Sequence, residues 1–306
     1  MELPGDKECN LQIGIFMSGK LEKIYKVGKN IWAILFGALS VFLTFISWDD
    51  IEVKDACTKI FMLLSFVVCV TLLSIFIMLI TQTETIWERG QAKLCVKYGD
   101  ILSVGKKRMF FSRSTRNKLI VIPVNSHFDT IVEDSTVPNP LVSAKTIHGK
   151  WLKLYEAEKN MSPAEIQNAI YAFLAAKGIQ YQTDSNKRGS QRKYPIGTCA
   201  IMNGTNNVNY VLWALSDFNQ TNVAHATKES VISSLVSLLE FINMQSQGDE
   251  CYIPLVGTGL SRTSLSHKES LHTILSTIDL YREKLVGIVN VVIYKGDKSK
   301  VSIFDR

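Results

Sequence analysis

Two long stretches of this chain carry no charged residue. Residues 30–48 read NIWAILFGALSVFLTFISW, and residues 60–83 read IFMLLSFVVCVTLLSIFIMLITQT. A helix needs roughly 20 consecutive apolar residues to cross the hydrocarbon of a bilayer, and both stretches reach that length. The buried core helix of a soluble domain seldom runs so far without a charge. Trp32 and Trp48 fall at the two ends of the first stretch, where indole rings prefer the membrane–water boundary. A cleaved signal peptide would need a shorter apolar core and a clear small-residue cleavage site.

Lysine placement sets the expected orientation. Lys20, Lys23, Lys26 and Lys29 precede the first stretch, and Arg89, Lys93 and Lys97 follow the second. The segment between them, DDIEVKDACTK, holds four acids against two lysines. Basic residues stay on the cytoplasmic side. The expectation is a transmembrane hairpin with both termini in the cytoplasm: an N-terminal segment 1–29, spans at 30–48 and 60–83, and a short external loop 49–59. A connector 84–92 would then lead to a ligand-binding domain over 93–306. Gly37, Ser40, Thr44 and Ser47 share one face of the first span at helical spacing. Such a face lets helices approach closely, either within one chain or between subunits.

The net charge of +6 suits a membrane surface or an anionic ligand and is too small to point to nucleic acid. The six cysteines form no CxxC pair and have no zinc-ligand spacing. They read as reduced thiols of a chain whose bulk faces a cytoplasm.

Beyond residue 90 the pattern changes to alternating strands and helices, the mark of an α/β domain with a parallel or mixed sheet under helices. LIVIPV (119–124) reads as a buried strand. MSPAEIQNAIYAFLAAKG (161–178) reads as a helix with Ser162 as N-cap, Pro163 in the first turn, Glu165 closing a capping box and Gly178 ending it. Strands are expected near 197–203, 208–215, 251–256 and 287–294, and helices over 227–245 and from Ser266, with Glu269 as its box partner. DSNKRGSQRKYP (184–195) reads as a polar, flexible loop.

The late strand CYIPLV runs into GTGLSR. Gly257 and Gly259 lack the Cβ atoms that would hold an anion away from the backbone, so N–H groups can converge on phosphate oxygens. Arg262 can add a fork of donors to the same charge. A lone GxG also suits a tight turn that needs glycine only for positive φ. Two further stretches add weight. YGDILSV (98–104) puts Asp100 just before an apolar strand start, and VIPVNSHFDT puts Asn125 and Ser126 at the end of a buried strand.

In this order, the GDI turn, the strand ending in asparagine and the late strand entering a glycine loop resemble the macro domain, the α/β/α module that binds ADP-ribose. The resemblance covers roughly residues 93–305. It implies that Asp100 accepts a hydrogen bond from the adenine amino group, with Ile101 beside it. It also implies that Asn125 and Ser126 lie near the distal ribose, and that Gly257, Thr258, Gly259, Leu260, Ser261 and Arg262 hold the diphosphate. Hydrolytic macro domains carry three consecutive glycines after the asparagine strand. Here that region reads STVPNPLVSAKTIHGKWL (135–152), which brings Thr146, His148 and Gly149 to the pocket instead. No acid stands at a defined spacing to orient His148, so a non-catalytic contact is expected of it. His127 is as apt to be packed as to bind. No catalytic residue, metal or cofactor is expected.

Two spans followed by a divergent macro domain look like the membrane-anchored effectors of type II Thoeris anti-phage systems. That resemblance implies an ADP-ribose-derived signal, histidine-linked and made from NAD by a partner TIR-domain enzyme. It further implies a homo-oligomer in the bacterial inner membrane that damages lipid when the signal binds. A membrane-tethered ADP-ribosyl hydrolase and an anchor recruiting ADP-ribosylated proteins are the alternatives.

Overall fold

A computed structural model describes residues 25, 28–37, 40–41, 55–104, 116–133, 137, 140–218, 224–225, 227–246, 248–256 and 265–305. The chain divides into two compact units, one holding the N-terminal residues to Gln82 and the other spanning Thr83–Ile303.

In the first unit, residues 28–37 and 40–41 are helical, and a continuous helix α1 (Ala56–Ile80) follows. Its 25 residues, charged only at Lys59 in the first turn, give a length of about 37 Å at 1.5 Å per residue. The window Ile60–Ile77 has a mean hydropathy of 2.9. Phe61, Leu64, Leu72 and Phe76 on α1 are all exposed. The Trp32 and Phe66 rings meet edge to face with centroids 5.4 Å apart. Thr44, Ser47 and Trp48 lie outside the described residues. The helix starts at Ala56, inside the stretch expected as external loop.

The second unit begins where a connector was expected. Strand β1 (Thr83–Arg89) pairs antiparallel with β2 (Ala92–Gly99), so residues 83–89 are an edge strand of the sheet. Only Thr81 and Gln82 separate it from α1. The one-turn helix α2 (Ile101–Val104) stands where a strand start was expected, because Asp100 Oδ1 accepts from Leu102 N at 3.1 Å and its carbonyl accepts from Ser103 N at 3.0 Å. An aspartate that caps in this way turns the chain into a helix.

Strand β3 (Lys118–Asn125) is followed by β4 (Val132–Glu133) and β5 (Val142–Ser143), and then by helices α3 (Ile147–Lys159) and α4 (Pro163–Ala176). Next come β6 (Gln182–Thr183), β7 (Arg192–Lys193), β8 (Cys199–Asn203) and β9 (Val208–Phe218). The chain continues through β10 (Ala224–His225), α5 (Lys228–Ser246), β11 (Glu250–Pro254), α6 (His267–Leu280) and β12 (Ile288–Tyr294). The capping boxes read from the sequence form in both directions at Ser162 with Glu165 and at Ser266 with Glu269.

The main sheet runs β1-β2-β12-β11-β3-β9, with β8 and β10 both pairing with β9. The five strands from β2 to β9 are mutually parallel, and the flanking β1 and β8 are antiparallel, so the sheet is mixed. Ile120, Ile122 and Val124 pack with Trp151, Leu152, Ile166, Ile170 and Leu174 of α3 and α4. Trp213 Nε1 of β9 donates to Ser234 O of α5, and Ser270 of α6 donates to Val256 O beyond β11. The central strands read as unbroken apolar runs because both of their faces are covered.

Candidate functional site

All five parallel strands end at the same edge. Gly99 of β2 lies opposite Tyr294 of β12, Val292 opposite Pro254 of β11, and Asn125 of β3 opposite Ser216 of β9. Across this edge the order is therefore Asp100, the end of β12, the exit of β11 and Asn125. Parallel neighbours lie about 4.8 Å apart, so Asp100 and Asn125 stand three intervals, about 14 Å, from each other. The exit of β11, Val256, leads directly into Gly257, between those two positions in strand order. Ligands of open α/β sheets bind at this carboxyl edge.

Each sequence-predicted residue has a distinct placement. Asp100 is exposed, and among the described residues its Oδ1 takes a hydrogen bond from Leu102 N while Oδ2 takes none. Ile101 beside it is buried. Asn125 is buried, and its Oδ1 accepts from His127 N at 3.0 Å and Asp129 N at 3.3 Å. Those bonds fold residues 125–129 into a tight turn in which Phe128 takes φ 51°. They also fix the amide so that Nδ2 is its remaining donor. Gly257, Thr258, Gly259, Leu260, Ser261 and Arg262 lie outside the described residues.

Other expected residues are used by the fold itself. Ser126 is fully buried: its hydroxyl donates to Asp217 Oδ1 at 2.9 Å and lies 3.2 Å from His127 Nδ1. It braces the ends of β3 and β9. Lys193 pairs with the other oxygen of Asp217. Thr146 is the N-cap of α3: its Oγ1 accepts from Gly149 N at 3.0 Å and donates to Ser143 O at 2.7 Å. A Cβ at Gly149 would collide with the Ser143 carbonyl, so this glycine allows the first turn of α3 to press on β5. His148 is buried and stacks on Trp151, with centroids 6.3 Å apart. Burial pushes its pKa down to about 3, so the ring is neutral and too weak a base for chemistry near neutrality. His127 is wholly buried, and burial lowers its pKa, with the nearby Lys187 adding to the effect.

The segment 184–195, expected as a flexible loop, is held by β6 and β7 and packs onto the turn after β3. Lys187 Nζ reaches Asp129 Oδ2 at 2.6 Å, with 5% and 2% of the two side chains exposed. Ser190 N donates to Asp129 Oδ1 at 2.8 Å. Gly189 takes φ +88°, and a Cβ there would meet Asp129 Oδ1 at 2.6 Å. The sequence signal for this pairing was the run of basic residues itself, but nothing local says which acid it meets. Tyr294 was also missed: it ends β12 beside Gly99 and is 58% exposed. An exposed aromatic ring at the end of β12, the strand beside the one that Asp100 follows, offers a face on which a flat base can stack.

Residues 94–294 match the family model described as Thoeris protein ThsA, Macro domain. This chain belongs to that family. A curated Thoeris protein ThsA from Bacillus amyloliquefaciens (strain Y2) is 24% identical over 303 residues, covering 96% of this chain and 94% of the relative. Among solved structures, a variant of the Oceanobacillus iheyensis macrodomain aligns with TM-score 0.46 and 16% identity, covering 73% of this chain and 94% of the other. Another variant of that macrodomain, solved with ADPR, aligns with TM-score 0.41 at 16% identity over 72% of this chain and 94% of the other. Within the Thoeris macro family, the carboxyl edge built from Asp100, Asn125 and the exit of β11 is the candidate ligand cleft of this chain.

Proposed function

We propose that this protein is an anti-phage effector whose macro domain binds an ADP-ribose-derived signal at the carboxyl edge of the sheet, and whose N-terminal helices then damage the cell membrane. The observation that carries the reading is the strand order. It sets an open carboxylate and an exposed tyrosine at one end, the strand running into GTGLSR between, and an asparagine donor about 14 Å from the carboxylate. That spacing suits an elongated ligand with a base at one end, a diphosphate in the middle and a ribose at the other.

Binding proceeds without turnover. Ser126 and His127 are buried, and His148 is held neutral inside the core, so none of them can deliver a proton to a ligand in the cleft. The signal is an ADP-ribose carrying histidine, supplied by a TIR-domain partner. α1 spans the inner membrane; the mean hydropathy of 2.9 over Ile60–Ile77 and the exposed Phe61, Leu64, Leu72 and Phe76 support this. The residues at 30–48 provide the return span, and the active form is an oligomer because two helices enclose no water path.

Calorimetry of the full-length protein in detergent tests this reading, with ADP-ribose, its histidine conjugate, NAD and AMP as titrants. The histidine conjugate should bind most tightly and be recovered intact. Equal affinity for all four, or release of free ADP-ribose, would refute it.

A further inference from the structure

A second concavity lies beside the turn after β3. The first turn of α4 forms one wall and the β6–β7 hairpin the other, around an open groove of about 800 Å³. Neither Asp100 nor Asn125 lines it. Two charged residues do, Asp129 and Arg192. Asp129 is neutralised by Lys187 at 2.6 Å. Arg192 has no carboxylate partner among the described residues, so the groove carries one uncompensated positive charge.

That guanidinium is held rigidly. Its central carbon lies 4.2 Å from the Tyr171 ring centroid and 4.8 Å from that of Tyr181. Two aromatic faces fix the plane of the cation but satisfy none of its edge donors. Gln167 lines the same groove; its amide lies 3.2 Å from the Thr130 hydroxyl, which also donates to Pro163 O at 2.8 Å. Tyr181 and Ile131 add exposed apolar surface at the rim, 46% and 51% exposed.

We propose that this groove is a binding site for a small organic anion, a carboxylate or phosphate carried on a flat apolar body. Arg192 holds the charged group through its edge N–H donors, and the apolar body lies against Tyr181 and Ile131.

The test uses the full-length protein in detergent with benzoate, phenyl phosphate and neutral benzamide as probes. Phenylglyoxal modifies accessible arginines, and mass spectrometry reads the modification at Arg192 alone. Benzoate or phenyl phosphate should protect Arg192 saturably, at concentrations at least about tenfold below benzamide. The better of the two anions identifies the group the site takes. Direct titration should then show benzoate weakened in Arg192→Lys, which keeps the charge but loses the fork. Equal protection by benzamide, or no protection by either anion, overturns the proposal without needing any variant to fold.

Discussion

Replacing Lys187 by methionine should leave the Asp129 carboxylate charged and shut away from water. In the native fold the two meet at 2.6 Å with 5% and 2% of their side chains exposed. Removing one partner of such a pair costs about 3–5 kcal/mol, because the other charge stays buried without compensation. Ser190 N still donates to Asp129 Oδ1 at 2.8 Å, which retains about 1 kcal/mol. The expected loss is therefore about 2–4 kcal/mol, or about 5–15 °C in Tm for a unit of this size. The assay is thermal and urea unfolding of the full-length protein in detergent, followed by tyrosine and tryptophan fluorescence. Adding Asp129→Asn should recover much of the loss, giving a coupling energy of at least about 1.5 kcal/mol in the double-mutant cycle. Because Asp129 N also bonds Asn125 Oδ1 at 3.3 Å, the single variant should loosen the ligand cleft as well. A loss below about 0.5 kcal/mol, or strictly additive variants, would show that the pair is solvated and that the β6–β7 hairpin does not brace the site.

Other perturbations probe the remaining links. Asp100→Ala should weaken adenine-bearing ligands by about tenfold, the worth of one hydrogen bond to a charged group, and leave pyrophosphate unaffected; calorimetry with both ligands decides whether Asp100 is a contact or only a helix cap. Gly259→Glu should weaken ADP-ribose by at least about 2 kcal/mol through lost backbone donors and added negative charge, and wild-type affinity there would remove the glycine segment from the site. His148 has its pKa lowered from an ordinary 6.5 to about 3, so the unfolded chain takes up the proton first and stability falls as pH drops from 6.5 towards 3. At pH 5 this group alone accounts for about 2 kcal/mol. His148→Leu should therefore flatten the urea midpoint between pH 7.5 and 5, and an unchanged slope would contradict the burial. A Cβ at Gly37 meets nothing within 4 Å among the described residues, which leaves that face open to a neighbouring helix; leucine at Ser40 and Thr44 should abolish ligand-triggered liposome leakage while sparing affinity, and full leakage would exclude that face from assembly.

The sequence by itself determined whatever is local. Ser162 and Ser266 start their helices because a hydroxyl and a glutamate three residues on satisfy free amide groups within one turn. The apolar runs marked α1, β3 and β12 because length and side-chain type suffice to distinguish them. Asp100 was legible as a turn residue, but not as the cap of a helix, since ILSV suits a strand equally well until the aspartate claims Leu102 N. Strand order was beyond local reading: it sets β11 between Asp100 and Asn125 although β11 lies more than a hundred residues beyond either. Burial was beyond it too. Ser126 and His148 look like site residues by type, yet the fold spends the hydroxyl on Asp217 and encloses the imidazole beside Trp151. The pairing of Lys187 with Asp129 crosses 58 positions, and a basic run carries no record of its partner. Only tertiary packing, which excludes water from particular atoms and brings distant strand ends to one edge, decides which polar groups hold the fold and which stay free for a ligand.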